Sequence, residues 1–444
     1  MMKFKKAITA LLSGVFMLTA VLTGCGNADT PKDTEKTTSE TSDTAGDDTD
    51  KPTEDVAKEG TVSDDNESAN KIIIFQSKVE IVDQLNALAE EYKNETGIEV
   101  EVWNTTGDDY FQQLKIKLAN NQGPTIFSLA PGSEVEQMSS YLEDMSDLSF
   151  IGDIAEGMAA ELDGKVVGIP YTVEGFGMVY NKSLLDPTDI TDKDSFVSML
   201  EEQKANGVNG LGLSSESYFL IGHILNTPFA LQSDPADYIE KLANGEVKMA
   251  ETPEFQEFAQ MYVAIRDNSY NPLEVDYDKA CGDFATGKTA AIHQGNWVIG
   301  MFDDYDMDFE MGMMPFPLSG NDKLAVSVPS AWMLNSQATD AEKQAGKDFI
   351  EWLYTSETGI NYLMNEFNFI PVIKGMESDN MDVLSQEVAR YTEAGDTISW
   401  PNALWPAGIV DVYLKPIAEK FFTSDMSAED LLVELDNAWA EAVQ

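Results

Sequence analysis

The residue types that could bind a small molecule are concentrated in two stretches of the chain. In the first, two strand-like segments flank the loop Tyr171-Thr-Val-Glu-Gly175. In the second, a short apolar strand at 289–292 leads into Gln-Gly-Asn-Trp297. Ligands in open α/β sheets lie beyond the carboxyl ends of the strands. We therefore predict that Glu174 and Trp297 face a cleft, although a tryptophan that only covers the sheet would give the same pattern.

Other aromatic residues stand next to turns at separated places in the sequence. A sugar presents hydroxyl groups around its edge and apolar C–H groups on its faces, so its binding site combines flat rings with carboxylates or amides. Any one of these rings could equally be a core residue, but their shared position beside turns favours a lined cleft. The predicted cleft aromatics are Tyr171, Tyr218, Trp297, Trp332, Trp400 and Trp405.

Strand and helix patterns alternate in residues 71–129, which precede the loop at 171–175. An apolar strand at 71–76 precedes a helical pattern that ends at Gly97. A strand at 99–103, a helix at 108–119 and a strand at 125–129 follow. Because this order is β-α-β-α-β, we predict a parallel sheet with helices on both faces.

The region from residue 71 to residue 444 is too long for a single hydrophobic core. We therefore expect two α/β lobes with a ligand between them. Residues 307–317 are predicted to form a return strand that crosses from one lobe to the other.

The first 70 residues do not fit the pattern of a folded domain. Three lysines precede an apolar run that is too short to span a membrane and that ends in Leu-Thr-Gly-Cys25. This is typical of a bacterial secretory leader with a lipidation site, so we predict a lipoprotein signal peptide at 1–25 and a lipid on Cys25. Residues 26–70 hold almost no large apolar side chain and are predicted to be a disordered acidic tether.

The charge and the cysteine and histidine content exclude several classes of partner. The formal net charge is −50, and residues 71–444 account for −43 of it because the leader is +3 and the tether −10. Such an acidic surface repels nucleic acid and anionic lipid, and it disfavours a polyanionic ligand. His223 and His293 lie in apolar runs and are predicted to be core residues, not metal ligands. Cys281 has no disulfide partner once Cys25 is lipidated, and no cofactor or metal is predicted.

Seven segments follow one another in a recognisable order from residue 71 onwards. They are KIIIF, TGIEVEV, DDYFQQLKIKLANNQGPTIFSL, DGKVVGIPYTVEGFGMVYNKSLL, FATGKTAAIHQGNW, MGMMPFPLSG and SAWMLNSQATDAEKQAGKDFIEWL. This order resembles the extracellular solute-binding proteins that serve carbohydrate ABC importers, the maltose-binding type. The resemblance implies a clamshell of two Rossmann-like α/β lobes joined by crossing strands. It places residues 71–174 and 315–358 in the first lobe and residues 175–314 and 359–444 in the second.

The resemblance also implies roles for individual residues. Glu174 is where these proteins place a carboxylate that accepts hydrogen bonds from sugar hydroxyls, and Trp297 matches a ring-stacking position. The segment Glu216-Ser-Tyr218 is similar to one that supplies a further carboxylate and ring, and Trp405 matches a third stacking position. Polar sugar contacts are also expected just after the first strand, from Ser77, Lys78 and Glu80.

The sequence thus predicts a monomeric binding protein, not an enzyme, that captures a sugar or oligosaccharide and delivers it to ABC transporter permease subunits. We expect it on the outer face of the cytoplasmic membrane, held by its lipid anchor. The sequence does not identify the sugar, because Leu129 and Gly132 stand where the maltose-binding type has a tryptophan and an aspartate. Two other functions stay open. A receptor for a polyamine or another cation would suit an acidic, aromatic cleft, and a glycoside hydrolase would use a carboxylate pair such as Glu174 and Glu216.

Overall fold

The computed structural model describes residues 69–443, apart from residues 106, 377, 379 and 380. The predicted leader with Cys25, and residues 26–68 of the predicted tether, lie outside the described residues and stay predictions. Within the described part of the chain, no helix is long and apolar enough to cross a bilayer.

The strands of the described residues form two six-stranded sheets. They are β1 (Lys71–Gln76), β2 (Glu99–Asn104), β3 (Ile126–Leu129), β4 (Ala160–Leu162), β5 (Lys165–Pro170), β6 (Glu174–Asn181), β7 (Asn209–Gly212), β8 (Thr289–Gly295), β9 (Met311–Met314), β10 (Leu324–Ser327), β11 (Ala331–Leu334) and β12 (Thr397–Ile398). The first sheet has the order β2-β1-β3-β11-β5-β4, and the second has the order β12-β10-β6-β8-β7 with β9 also paired to β6. The predicted α/β class is confirmed.

Helices cover the sheets, and several of them begin at residues that suit a helix start. Asp192 and Thr339 each form a capping box, in which the side chain of the cap accepts from the third helical N–H, so orphan donors at the helix start are satisfied. The α-helices are α1 (Val82–Thr96), α2 (Gly107–Ala119), α3 (Ser133–Gln137), α4 (Lys193–Ala205), α5 (His223–Ala230), α6 (Pro235–Ala243), α7 (Pro253–Asn268), α8 (Tyr277–Ala285), α9 (Asp340–Thr355), α10 (Glu357–Asn361), α11 (Val383–Ala394), α12 (Lys415–Phe422) and α13 (Ala428–Ala442).

The first sheet is built as the alternating pattern predicts. β1 pairs in parallel with both β2 and β3, and α1 buries Leu85, Leu88 and Tyr92. The helix ends at Gly97, whose φ of 80° is left-handed and whose N–H bonds to the carbonyl of Lys93, a common helix ending. β11 enters from the far end of the chain and lies antiparallel between β3 and β5.

The second sheet is centred on β6, every residue of which is buried. β6 runs antiparallel to β8, β9 and β10. The chain passes from the first sheet to the second through residues 171–173, and it returns through residues 328–330, between β10 and β11. The predicted crossing at 307–317 is therefore wrong. That segment contains β9, whose four apolar residues are buried beside β6, so it belongs to the second sheet.

The chain around the predicted lobe boundaries contributes to both halves of the molecule. β10 falls inside the 315–358 segment but pairs with β6 of the second sheet. Ile370 and Ile373, which fall inside the 359–444 segment, form bridges with Val173 and Ile154. The boundaries themselves stay a prediction, whereas the two sheets fix the centres of two lobes between which a ligand could lie.

Candidate ligand-binding site

A cavity of about 520 Å³ lies between the two sheets, a volume within the usual range for small-molecule sites. Its walls are made by residues that follow the carboxyl ends of strands. Lys78 comes just after β1, Ala130 after β3, Glu216 after β7 and Trp297 after β8. This is the place where ligands bind in open α/β sheets.

A lysine is held between two carboxylates on the cavity wall. Lys78 Nζ lies 2.7 Å from Glu174 Oε1 and 2.8 Å from Glu80 Oε1, and the three side chains are only 14%, 4% and 10% exposed. Burial by itself would lower the pKa of Lys78, but the two carboxylates more than offset this and raise it. The lysine is therefore held as an ammonium ion. For Glu174 the effect of burial is the larger one, so its pKa is raised although Lys78 acts to lower it.

Two indole rings form a corner on the cavity wall. The ring centroids of Trp297 and Trp400 are 6.3 Å apart, and the ring planes are at 83° to each other. Trp297 Nε1 donates to Gln294 Oε1 at 2.9 Å, and Trp400 packs on Phe176 with centroids 4.8 Å apart. Both rings are thus fixed before any ligand arrives. A flat ligand could stack on one ring and place its edge against the other.

Most of the predicted site residues are brought together in this cavity. They come from distant parts of the sequence. Glu174 begins β6, Tyr218 begins the π-helical turn Tyr218–Gly222, and Trp400 lies in a loop before α12. The predicted residues that line the cavity are Ser77, Lys78, Glu80, Glu174, Glu216, Tyr218, Trp297 and Trp400.

Three predicted cleft aromatics do not line this cavity, which corrects their expected position. Trp405 is 1% exposed and packs on Phe229 and Trp439. The short helical turn Pro401–Leu404 separates it from Trp400, so Trp400 faces the cavity and Trp405 turns into the core. Tyr171 and Trp332 stack on each other with centroids 3.8 Å apart, where the chain crosses between the sheets, and both are buried.

The cavity also holds polar residues that the sequence did not single out. Seven carboxylates and one lysine line it, and four of these carboxylates were not predicted: Glu134, Asp276, Asp278 and Asp411. Glu134 of α3 accepts from the N–H of Ala130 at 2.8 Å, and Asp411 reaches the cavity from the second lobe. Glu216 Oε1 accepts from the N–H of Tyr277 at 3.0 Å, while its Oε2 is buried without a hydrogen-bond partner. Among the described residues, no group of His, Cys, Asp and Glu is placed to hold a metal ion.

Aromatic residues of the second lobe were missed as well. Phe219, Tyr277 and His223 line the cavity, although His223 is also buried, as predicted. Phe219 and His223 lie in an apolar run, and Tyr277 stands between two aspartates, so composition alone gives no sign of a site. The spacing of Tyr218, Phe219 and His223 becomes informative only once the π-helical turn is known.

Comparison with known proteins assigns the chain to a family. The family model described as "Bacterial extracellular solute-binding protein" matches residues 87–394, which is more than half of the chain. The chain is a bacterial extracellular solute-binding protein. The predicted resemblance to this group is thereby confirmed.

Two relatives are similar in sequence to this solute-binding protein. The maltotriose-binding protein of Pyrococcus abyssi is 24% identical over 326 residues, which cover 71% of this chain and 66% of the relative. The maltooligosaccharide ABC transporter solute-binding lipoprotein of Streptococcus pneumoniae strain R6 is 23% identical over 338 residues, which cover 72% of this chain and 78% of the relative. The chain thus spans slightly less than two thirds of the first relative.

Solved structures share the fold of this solute-binding protein. A chitin oligosaccharide binding protein superimposes with a TM-score of 0.70 at 19% identity, covering 84% of this chain and 99% of the other. The raffinose complex of the solute-binding protein RafE gives a TM-score of 0.71 at 17% identity, covering 84% and 100%. At these identities the similarity establishes the fold, and the predicted two-lobed architecture is confirmed.

Glu134 should make the stability of this solute-binding protein depend on pH. Burial raises the pKa of Glu134 to about 7; the N–H of Ala130 and the charge of Lys115 oppose this, and the charge of Asp411 adds to it. The folded state then holds the proton more tightly than the unfolded chain. The stabilising contribution is complete below the unfolded pKa, near 4.5, and is lost as the pH rises through about 7.

We expect Glu134→Gln to remove this loss. Between pH 4.5 and 8, the free energy of unfolding of the variant should fall less than that of the wild type. The difference should be about 1–2 kcal/mol, because the side chain is half-buried and partly screened. Urea unfolding at a series of pH values measures it. Glu136→Gln, on an exposed position of the same helix, is the matched control. Equal pH profiles for Glu134→Gln and the wild type would contradict the assignment.

Proposed function

We propose that this solute-binding protein captures a neutral sugar or oligosaccharide between its lobes and releases it unchanged to an ABC transporter permease. The observation that carries the proposal is the perpendicular pair of indoles, Trp297 and Trp400, beside Glu174 and Glu216 in one inter-lobe cavity. Indole faces match the apolar C–H faces of a sugar ring, and carboxylates accept hydrogen bonds from its hydroxyls.

The named ligands of related proteins support a saccharide without selecting one. The two relatives are named for maltotriose and for maltooligosaccharides, and the two structures are of a chitin oligosaccharide binding protein and of a raffinose complex. These saccharides differ in linkage and in ring substituents. What they share is sugar rings with apolar C–H faces, which is what the indole corner fits.

Ligand capture would work by closure of the lobes. Lys78 and Ala130 belong to the first lobe and Tyr218 and Trp297 to the second, so a ligand gains all of its contacts only when the lobes are together. A ligand that binds the closed form more tightly shifts the population towards it. The loaded, closed form would then dock on the permease, with a monomer held at the outer face of the membrane through lipidated Cys25.

The environment of the carboxylates supports binding without catalysis. Glu174 is engaged by the ammonium group of Lys78, and Glu216 by the backbone N–H of Tyr277. A glycoside hydrolase needs one carboxylic acid that is protonated near neutral pH and placed at the glycosidic oxygen. Lys78 opposes protonation of Glu174, although burial raises the pKa of Glu174 overall. Glu134, whose pKa burial raises to about 7, accepts from the backbone N–H of Ala130, and the family match is to binding proteins.

One observation favours a second candidate, a receptor for a polyamine or a similar cation. Seven carboxylates line the cavity against one lysine, and aromatic faces also attract cations. Lys78 pairs with Glu80 and Glu174 and offsets one of their two negative charges. This leaves less negative charge for a cationic ligand than the simple count suggests.

Titration calorimetry distinguishes the two functions. We expect maltotriose, raffinose or another neutral oligosaccharide to bind with a dissociation constant that changes little between low and high salt, because no net charge is paired. Spermidine should not bind. A cation that did bind would be recognised by an affinity that falls steeply as salt increases. Tight, salt-dependent binding of spermidine and no heat with neutral oligosaccharides would contradict the proposal.

Variants of the site sharpen this titration. Trp297→Ala should weaken binding by about 30-fold or more, because it removes a stacking surface at the centre of the site. Glu174→Gln should weaken it by about 10-fold, since a charged acceptor becomes a neutral one. Trp352→Ala is the matched control, because Trp352 is partly buried but lies outside the cavity lining. Its affinity should be that of the wild type.

The closure step has a separate test at Gly132. Its φ is 95°, and a Cβ placed there would lie 2.3 Å from the carbonyl oxygen of Ala403 in the second lobe. Gly132→Ala should therefore hold the lobes apart and weaken saccharide binding by about 10-fold or more. Gly164→Ala is the control, because Gly164 also has a positive φ, 74°, but faces open space. If both variants bound saccharide equally well, the contact would not be part of the closed form.

A further inference from the structure

The two lobes approach each other closely beside a carboxylate of the first lobe. A Cβ placed on Gly132 would clash with the carbonyl oxygen of Ala403 in the second lobe. Glu134 follows Gly132 by two residues, in α3. It also lines a small second cavity together with residues 408–410 of the second lobe. Glu134 is therefore placed between residues of both lobes.

A second carboxylate faces Glu134 from the other lobe. Asp411 belongs to the π-helical turn Val410–Leu414, and both carboxylates line the inter-lobe cavity. Ser217 Oγ donates to Asp411 Oδ1 at 2.5 Å, a bond within the second lobe that holds the aspartate in place. The charge of Asp411 acts on Glu134. Closing the lobes therefore brings two negative charges towards each other.

Other titratable groups lie on the elements around this carboxylate pair. The second lobe adds Tyr218 on the cavity wall and Lys415, four residues beyond Asp411, and the first lobe adds Tyr110 and Lys115 of α2 and the exposed Glu161 of β4, which packs against α3. The tyrosines are neutral near pH 7, and an exposed charge such as Glu161 is screened by the solvent. Lys115 opposes Asp411, but its effect on the pKa of Glu134 is the smaller of the two.

The environment of Glu134 depends on whether the lobes are together. In the closed arrangement its pKa is raised to about 7, mainly by burial and in part by the charge of Asp411. Ala130, whose N–H donates to Glu134 at 2.8 Å, belongs to the same lobe and stays with it when the lobes separate. Separation lets water reach the carboxylate and takes Asp411 away, so the pKa returns towards its ordinary value near 4.5. The closed form thus holds a proton that the open form releases.

We propose that closure of the lobes on a saccharide is coupled to the uptake of a proton from the solvent by Glu134, opposite Asp411, so that the protein binds its ligand more tightly as the pH falls. The inference deepens the proposed saccharide function and rests on it. A group that holds its proton more tightly in the closed form favours closure at low pH, and this contribution is lost as the pH rises through about 7. Release of the saccharide is then favoured at higher pH.

Titration calorimetry of the full chain with maltotriose and with raffinose counts the protons directly. The heat of binding at pH 7 is measured in phosphate and in Tris, two buffers with different heats of ionisation, so the difference between them gives the number of protons taken up. We expect about 0.5 proton per bound saccharide. The dissociation constant should also be about 3- to 10-fold larger at pH 8 than at pH 6, because the side chain is half-buried and partly screened.

Variants separate proton uptake from a merely structural role. Glu134→Gln keeps an acceptor for the N–H of Ala130 but cannot gain a proton. It should lose the uptake of about 0.5 proton, and it should bind saccharide more tightly than the wild type at pH 8, since it is neutral at every pH. Asp411→Asn removes the facing charge, so it should reduce the uptake and also strengthen binding at pH 8. Glu136→Gln, on an exposed position of α3, is the matched control and should behave as the wild type.

The outcomes distinguish this inference from the function on which it rests. Saccharide binding with equal heats in the two buffers, or a Glu134→Gln variant that takes up as many protons as the wild type, would overturn the inference alone. Weaker binding of Glu134→Gln at pH 8 would show that the side chain only supports the site. No binding of either saccharide, or of a wider panel of neutral oligosaccharides, at any pH would overturn the proposed function and this inference with it.

Discussion

The ammonium group of Lys78 between Glu174 and Glu80 is the interaction on which the rest of the site depends. It joins the end of β1 in the first sheet to the first residue of β6 in the second. Charges that are this deeply buried are tolerated only when they are paired and hydrogen-bonded. Breaking such a pair from one side leaves an uncompensated charge, at a typical cost of about 3–5 kcal/mol. The pair therefore fixes where the first crossing between the lobes ends, and it places a carboxylate on the cavity wall.

The remaining features of the site follow from how the two sheets face each other. Strands that end at one edge of each sheet bring their following loops to the same gap, so residues from four strand ends share one cavity. Both lobes supply carboxylates to the cavity, and the second lobe also supplies the indole corner. Such a combination suits a ligand with both polar edges and apolar faces. It also means that neither lobe alone offers a complete site, which makes affinity depend on closure.

The sequence predicted the architecture and the centre of the site, because these depend on local patterns. The alternation of strands and helices from residue 71 to residue 129 requires a parallel sheet, and the structure has one. Glu174 and Trp297 were predicted to face one cleft because each stands at the end or the start of a buried strand, and both line the cavity. For these residues the local pattern and the final position agree.

The sequence did not predict the position of a side chain where the turn beside it decides that position. Trp400 and Trp405 are separated by one short helical turn, and no residue between them shows which ring will face the cavity. His223 has the composition of a core residue and becomes a cavity residue only through the π-helical turn. Glu134 and Asp411 come from opposite lobes, so their proximity depends on tertiary structure alone.

Native mass spectrometry of the full chain, incubated with a mixed pool of neutral oligosaccharides and polyamines, tests the central claim most directly. It measures the mass of whatever stays bound and shows whether the pool itself has changed. The account predicts a complex with one intact neutral saccharide, a pool without hydrolysis products, and loss of that complex in Trp297→Ala. A complex with a polyamine, or saccharide fragments that accumulate with time, would contradict it.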